Sequence, residues 1–382
     1  MPSAKAMPPS IPFKLLQEGE RAMRLCNACR YCEGFCAVFP AMERRLTFAE
    51  QDLNYLANLC HDCGECYSSC QYAPPHEFAL NLPRTLAEIR VETYRKYAWP
   101  GFLAGLFHRG GVAVSLCAVA GPLLFIIVML LSIEPSVLFA PHTVAEGSFY
   151  RVMSHNVMSL SFGAVGLYVL IALMMGFIGF WRETGERWSA FLSPRALGQA
   201  VADTLRLRYL GGGGEGCAYP DEVPSHARRR FHHLTFYGFL LCFAATTVAA
   251  VYHNFFGWEA PYPLLSAPVI LGSAGGVWLL IGPVGLLWLK SVRNPSLSDQ
   301  RQTVMDVAFL ALLFLTSLTG FWLLALRETA AMGVMLAVHL GIVMALFLTL
   351  PYGKFVHAIY HFAALVRNAI EKRSLLPEPR RE

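Results

Sequence analysis

The sequence predicts an all-α fold in which a six-helix transmembrane bundle follows a small, mainly helical domain rich in cysteine. Of the 382 residues, 55% are apolar and 15% are charged, whereas about 25% of the residues of a typical soluble domain are charged. The apolar excess lies in six uncharged runs, each about the 20 residues that span the hydrocarbon core of a bilayer. The predicted spans are residues 112–133, 157–181, 234–252, 264–289, 307–326 and 330–350.

Cysteine is concentrated before the first span, because eight of the eleven cysteines lie between residues 26 and 70. The first 20 residues contain no apolar stretch of the signal-peptide kind, so we expect this segment to stay inside the cell with its thiols reduced. Reduced, clustered thiols favour metal binding over disulfides. We therefore expect a cytoplasmic domain at 1–100, a membrane domain at 101–366 and a cytoplasmic tail at 367–382.

Lysine and arginine are distributed very unevenly between the two sides of the predicted bundle. With the N-terminus inside, 29 of them fall in inner segments and 2 in outer loops. Because loops rich in Lys and Arg stay on the cytoplasmic side, both termini are expected to be cytoplasmic. This topology and contact with anionic lipid explain the net charge of +5 without a nucleic-acid partner.

Two short motifs predict where soluble helices begin. Thr47 and Glu50 have the spacing of a capping box and predict a helix over residues 50–59. Thr85 and Glu88 have the same spacing and predict a helix that leads toward the membrane.

The long inner loop between the second and third spans contains a predicted surface helix at residues 196–209. It is followed by four glycines at 211–214, a flexible or tight-turn stretch. These glycines follow no apolar strand and open no helix, so they do not indicate a nucleotide-binding loop. Only residues 327–329 separate the last two spans, which predicts an antiparallel helical hairpin.

The eight clustered cysteines form two runs with the identical spacing C-x2-C-x2-C-x3-C. In bacterial ferredoxins this run provides three thiolates to one [4Fe-4S] cluster, and the fourth cysteine reaches the other cluster. Two zinc sites are less favoured, because zinc sites usually pair two separated C-x2-C hooks. The predicted crossed ligand sets are Cys26, Cys29, Cys32 and Cys70 for one cluster, and Cys36, Cys60, Cys63 and Cys66 for the other.

Other features of the cysteine pattern are less regular. Ala37 and Gln71 follow the fourth cysteines, where the ferredoxin run has proline, so the local fold is expected to differ from that of a small ferredoxin. Cys117, Cys217 and Cys242 are solitary. We expect them to be small packing residues, with Cys217 alternatively a thiol at a partner surface.

Histidines at the span ends suggest haem b, which needs two axial imidazoles from facing helices. An inner pair would combine His232 or His233 with His357, and an outer pair would combine His253 with His339. Because histidine within a span is costly, each pair is a functional hypothesis. The alternative is that these are ordinary interfacial histidines.

Helical phase supports these pairs. His339 and His357 are 18 residues apart, which is five turns of about 3.6 residues, so they face the same way unless Pro351 kinks the helix. The 21 residues between His232 and His253 favour His232 over His233 as the inner ligand. His361 is a spare candidate, and we expect four further histidines to be ordinary polar residues. These four are His108, His142, His155 and His226.

The doubled cysteine run, the sequence Pro74-Pro75-His76-Glu77-Phe78 and residues 230–239 resemble the tricarballylate utilization protein B family, also called the citrate utilization protein B family. The resemblance covers nearly the whole chain. It implies a bacterial inner-membrane protein with iron-sulfur clusters and haem, which reoxidises the reduced flavin of a separate tricarballylate dehydrogenase and passes the electrons to the quinone pool.

A second, more local resemblance concerns residues 351–357, which are similar to the end of the haem-binding helix of the nitrate reductase gamma subunit. It implies that His339 and His357 serve two different haems. On the partner helix this chain has Cys242 and Phe243 where that family's second ligand is expected, so His253 is a substitute candidate.

The chain contains no dinucleotide-binding fingerprint and no phosphate-binding loop, so we expect it to take electrons from a partner flavoprotein. The hypothesis is an oxidoreductase subunit without its own organic-substrate site, with two [4Fe-4S] clusters and one or two haems b between flavin and quinone. Reverse flow, from quinol to a cytoplasmic reductase of the heterodisulfide type, uses the same parts. A haem-free membrane anchor for a ferredoxin domain is a further alternative, and a transporter is least favoured because the spans lack charge pairs.

Overall fold

The computed structural model describes residues 11–107, 112–141, 148–218 and 223–374. These residues form helices and one antiparallel hairpin of two-residue strands, β1 (Cys217–Ala218) and β2 (Pro224–Ser225). In chain order the helices are α1 (Phe13–Cys29), α2 (Val38–Glu43), α3 (Glu50–Leu59), α4 (Glu65–Ser68), α5 (Leu82–Tyr97), α6 (Gly101–Phe107), α7 (Val112–Ser132), α8 (Pro135–Leu138), α9 (Ser148–Val152), α10 (His155–Glu183), α11 (Trp188–Phe191), α12 (Pro194–Leu205), α13 (Ala227–Phe256), α14 (Ala267–Val292), α15 (Gln300–Leu326), α16 (Met332–Thr349) and α17 (Val356–Ser374).

Six of these helices are long and apolar enough to cross a membrane, which confirms the prediction of six spans. They are α7, α10, α13, α14, α15 and α16. Helices α10, α13 and α15 extend the predicted spans at one or both ends with polar residues. The outward faces of the bundle carry large exposed apolar side chains, as expected for contact with lipid.

Glycine lets pairs of membrane helices approach backbone to backbone. A Cβ added at Gly275 of α14 would lie 2.8 Å from the carbonyl oxygen of Gly238 in α13. A Cβ added at Gly341 of α16 would overlap the backbone of Gly121 and Pro122 in α7. Small residues at such crossings are typical of membrane bundles, where close van der Waals packing holds helices together.

The chain turns sharply after the last span. Helix α16 ends at Thr349, whose carbonyl oxygen accepts hydrogen bonds from the backbone N–H groups of Tyr352 (3.2 Å) and Gly353 (2.9 Å). Pro351 has no N–H to continue the helix. His339 and His357 therefore lie on two different helices, and the expectation that one helix aligns them is wrong.

Helix α17 returns to the N-terminal helices and shares their hydrophobic core. Leu56 of α3, Ile89 of α5 and Trp181 of α10 are buried in the same apolar cluster as Ala363 of α17. Glu371 of α17 forms ion pairs with Arg44 and Arg45, which directly follow α2. The cysteine-rich helices are thus packed on one end of the bundle, which is the cysteine side.

Neither predicted capping box forms. Helix α3 has the predicted bounds, but its first turn is capped by Asp52, whose carboxylate accepts the backbone N–H of Ala49 at 3.3 Å. Helix α5 begins at Leu82, because the Asn81 side chain accepts the N–H of Arg84 at 3.2 Å. Thr85 lies inside that helix. The predicted surface helix is α12, which begins two residues earlier than expected and ends at Leu205.

Candidate metal centre

The eight clustered cysteines lie in two adjoining groups between α1, α2, α4 and α5. One small cavity is lined by Cys26, Cys29, Cys32 and Cys70, and a neighbouring one is lined by Cys36, Cys60 and Cys63. Cys66 lines both. Each group combines three cysteines of one run with the fourth of the other, which is the crossed arrangement of the sequence hypothesis.

Burial makes ionisation unfavourable for several thiols in both groups. Burial, and then the neighbouring Cys32, Cys70 and Cys29, raise the pKa of Cys26 to about 12. Burial and nearby thiols also raise the pKa of Cys36 and Cys66 well above the ordinary value. Four such thiols can be held together as thiolates by a cationic centre, because metal binding releases their protons. The donor set therefore fits iron-sulfur clusters.

Hydrogen bonds reach individual sulfur atoms of both groups. The backbone N–H of Asp62 donates to Cys60 Sγ at 3.2 Å. The side-chain amide of Gln71 donates to Cys29 Sγ at 3.6 Å. Gln71 is the residue that replaces the proline of the ferredoxin run, so this departure provides a donor to the first group.

A buried polar network fixes the second group against the membrane helices. The two terminal nitrogens of the Arg293 guanidinium donate to the Asp62 carboxylate. The side-chain amide of Gln302 also donates to this carboxylate, at 3.0 Å. Gln302 in turn accepts from Arg90, which is fully buried and beside Cys60. Arg293 lies in the connection between α14 and α15, and Gln302 lies in the first turn of α15.

Three histidines meet on the cysteine side of the bundle. One ligand nitrogen each of His61, His357 and His361 lies within 4.8 Å of the others, a grouping that could hold a metal ion. His61 lies next to Cys60 in the chain and lines the second cavity. Sequence analysis does not identify His61 and gives His361 only as a spare candidate. The position of His61 inside the second cysteine run was the one available signal.

In two of these histidines a hydrogen bond fixes one ring nitrogen, which suits the other ring nitrogen for ligation. His361 Nδ1 donates to the carbonyl oxygen of Asn58 at 2.7 Å, which leaves the buried Nε2 without a hydrogen-bond partner. His357 Nδ1 is hydrogen-bonded to the Tyr94 hydroxyl at 3.4 Å. Burial lowers the pKa of His361 to about 4 and lowers the pKa of His357 well below its ordinary value. Neutral imidazoles with one nitrogen fixed by a hydrogen bond are the form that binds metals.

Of the two adjacent histidines at the start of α13, His232 is the one directed to this group. His232 lies within electrostatic range of His61 and His361, and its buried Nδ1 has no hydrogen-bond partner. His233 instead faces Tyr237 and the backbone of Leu205.

The other predicted histidines are not brought together. His253 stacks on His155, with ring centres 3.5 Å apart. His339 is hydrogen-bonded through Nδ1 to Thr319 at 3.0 Å, and its ring packs on Gly320. His155 was expected to be an ordinary polar residue, and its contact with His253 was not foreseen. His108 and His142 lie outside the described residues.

The four-glycine segment and the short hairpin cover the second cysteine group. Gly212, Gly213 and Gly214 have positive φ angles and form a tight turn. Gly213 lies against Phe35, and Cys217 is buried beside Cys63. Cys217 is therefore not solitary, contrary to the expectation from sequence.

Two thiol groups of ferredoxin type, packed on the end of six apolar helices, define a membrane protein with an iron-sulfur electron-transfer role. Comparisons with known proteins identify the particular family. The model of the family "Citrate utilization protein B" matches residues 106–378, and that of its Fer4-like domain matches residues 19–96. The chain belongs to this family.

Among curated proteins, the chain is similar to Citrate utilization protein B of Escherichia coli. The two are 53% identical over 360 residues, which cover 93% of this chain and 92% of the relative. No solved structure matches the chain.

Proposed function

We propose that this protein carries electrons from the reduced flavin of a separate dehydrogenase, of the tricarballylate dehydrogenase kind, to the quinone pool of the bacterial inner membrane. The observation that carries the proposal is the arrangement of two adjoining four-cysteine groups, the second of which touches a buried histidine group at the end of the membrane helices. Iron-sulfur clusters, when bound there, supply one-electron redox chemistry.

The exposure of the two groups supports a direction from the first to the second. The first cavity opens beside Tyr31 and Gln71, both exposed, so a soluble partner can approach it. The second cavity is lined by Tyr209 and by His61, and His61 contacts His361 of α17. Electrons that enter at the first group are thereby brought to the membrane side of the second.

One haem b is proposed on the cysteine side, held by His232 and by either His357 or His361. The support is chemical: His232 Nδ1 on α13 and His361 Nε2 on α17 are buried ring nitrogens without a hydrogen-bond partner, and His357 lies beside His361 in the histidine group. The outer pair is not favoured, because His253 and His339 are not brought together: His253 stacks on His155, and His339 is hydrogen-bonded to Thr319. We therefore propose one haem rather than two.

The proposed topology follows the distribution of positive charge. Residues 1–100 form the iron-sulfur domain, 101–366 the membrane domain and 367–382 the tail, with both termini in the cytoplasm. Arg and Lys side chains on the cysteine side would contact anionic lipid headgroups there. The flavoprotein binds from the cytoplasm and quinone binds from the bilayer.

The test is chemical analysis and reduction of the full chain, purified without oxygen. About eight iron atoms with matching sulfide, plus about one haem iron, are expected per chain. The reduced flavoprotein should reduce the clusters and the haem band together, and added quinone should reoxidise them. Zinc in place of iron, or no inorganic sulfide, would refute the proposal. Electron transfer without haem would leave the anchor alternative, and net flow from quinol would support reverse transfer.

A further inference from the structure

The segment at residues 187–208, which contains α11 and α12, follows the second span and is packed against the bundle on one face. Ala196, Ala200 and Asp203 lie along one side of α12 and are buried. This side packs against α17, and the two alanines belong to the same apolar cluster as Ala363 of α17. The segment, named the connecting segment, is therefore fixed to the protein along this face.

The opposite face of α12 is apolar and exposed. Residues spaced by three and four positions share one side of a helix. On this side α12 carries four exposed residues, which are Pro194, Gly198, Val201 and Leu205. Trp188 and Leu192, which precede α12, are also exposed, at 42% and 68%. Neighbouring exposed apolar residues of this kind indicate contact with a partner or a membrane.

Both ends of the connecting segment touch side chains that lie inside predicted spans. At its start, the ring centres of Trp188 and Phe191 lie 6.0 and 5.2 Å from that of Phe177, within the second predicted span. At the end of α12, the Tyr237 hydroxyl donates a hydrogen bond to the carbonyl oxygen of Leu205 at 2.8 Å. Tyr237 lies within the third predicted span, about 15 Å along α13 from its first residue. The exposed face of α12 is therefore continuous with the lipid-facing surface of the bundle.

Arginine side chains border this apolar face. Arg195 and Arg206 are exposed and are separated by about three helical turns, so they share one flank of α12. Arg187, at the start of the connecting segment, is exposed as well. A helix with one apolar face and arginine at its border is typical of helices that lie in the membrane interface. Positive charge at this level favours anionic lipid over zwitterionic lipid.

We propose that the connecting segment lies in the bilayer interface, with the exposed face of α12 in the lipid. Arg195 and Arg206 bind anionic phospholipid headgroups of the leaflet on the cysteine side. The same helix joins this leaflet on one face to α17 on the other, so lipid helps to hold the helix that carries His357 and His361. This contact requires neither clusters nor haem, so its test is independent of the proposed electron transfer.

The experiment uses the full chain reconstituted in bilayers of phosphatidylcholine with a minor share of phosphatidylglycerol. Val201 is replaced by the photo-crosslinker benzoylphenylalanine, and the adducts are identified by mass spectrometry. Leu123 on the exposed surface of α7 is the positive control, and Leu46, between α2 and α3 and 95% exposed, is the control in the cysteine-rich domain. We expect lipid adducts at Val201 and Leu123 and none at Leu46. Absence of lipid adducts at Val201, or adducts with a second copy of the chain or another protein, would overturn the proposal.

The headgroup preference is measured on the same adducts. At Val201 the share of phosphatidylglycerol adducts should exceed its share of the bilayer by about fivefold, the effect expected of one arginine near an anionic surface. Arg195→Gln/Arg206→Gln should retain the adducts but abolish this enrichment. The matched control Arg21→Gln/Arg24→Gln, on α1, should leave the enrichment unchanged. Adducts that match the bilayer composition while both arginines are present, or enrichment that persists in Arg195→Gln/Arg206→Gln, would also overturn the proposal.

Discussion

The carboxylate of Asp62 accepts two hydrogen bonds from the guanidinium of Arg293, at 2.9 and 3.0 Å, in a place where neither residue is more than 6% exposed. Asp62 lies between two cysteines of the second group, and Arg293 follows a membrane helix. This pair therefore joins the proposed cluster loop directly to the bundle.

Removing the side chain of Arg293 should weaken the attachment of the cysteine loop to the bundle. In Arg293→Ala the buried carboxylate of Asp62 loses its ion-pair partner and keeps only the Gln302 amide; breaking a buried ion pair typically costs about 3–5 kcal/mol. We expect a lower denaturation midpoint in detergent and faster release of iron. The control is Arg84→Ala, which removes an exposed ion pair with Glu88 and should cost less than about 1 kcal/mol. Equal effects of the two substitutions would contradict the role assigned to Arg293.

Gln71 should affect only the first cluster. Gln71→Ala removes the donor to Cys29 Sγ, so we expect the first cluster to become harder to reduce, with a shift to a more negative potential. The second cluster of the same preparation serves as the internal control. A shift of both clusters, or of neither, would speak against a local hydrogen-bond effect.

The effect of a histidine substitution on haem binding should depend on the position of that histidine. His232→Ala is expected to abolish the b-type haem band, and so is one of His357→Ala and His361→Ala, because these histidines lie close together on the cysteine side. His253→Ala and His339→Ala should retain about one haem per chain, measured by haem extraction and absorbance. Loss of the band in His339→Ala would instead support the outer pair and a second haem.

Helix packing gives a test independent of any cofactor. Gly341→Ala should destabilise the bundle by about 1–3 kcal/mol, since the new methyl group overlaps the backbone of α7. Gly163→Ala is the matched control, because a Cβ there meets no atom within 4 Å. Unfolding in detergent measures both variants. A destabilised Gly163→Ala with an unaffected Gly341→Ala would show that α7 and α16 are packed differently.

The parts of the molecule that the sequence predicts well are those encoded by local spacing. The six spans follow from continuous apolar length, and helix α3 has its predicted bounds. The position of the eight cysteines in one region follows from their repeated spacing. These features depend on residues close together in the chain, so no knowledge of the tertiary structure is needed to recognise them.

The parts that sequence analysis missed depend on contacts between distant residues. Cys217 meets Cys63 across 154 positions of the chain, and no local pattern links them. The helical phase argument for His339 and His357 failed because Pro351 ends α16 and lets α17 turn back. His61 acquires its histidine partners only when α17 packs against the cysteine loop, and Arg293 meets Asp62 only when the connection between α14 and α15 does so.

The return of α17 has a consequence for how the protein is made. The helices that surround the cysteines leave the ribosome first, yet the core around them includes Ala363 and Ala364, and Arg45 is paired with Glu371. That core cannot close until nearly the whole chain has been synthesised and all six spans are inserted. We therefore expect any metal held by the clustered cysteines to be secured only after translation, once α17 has packed against them.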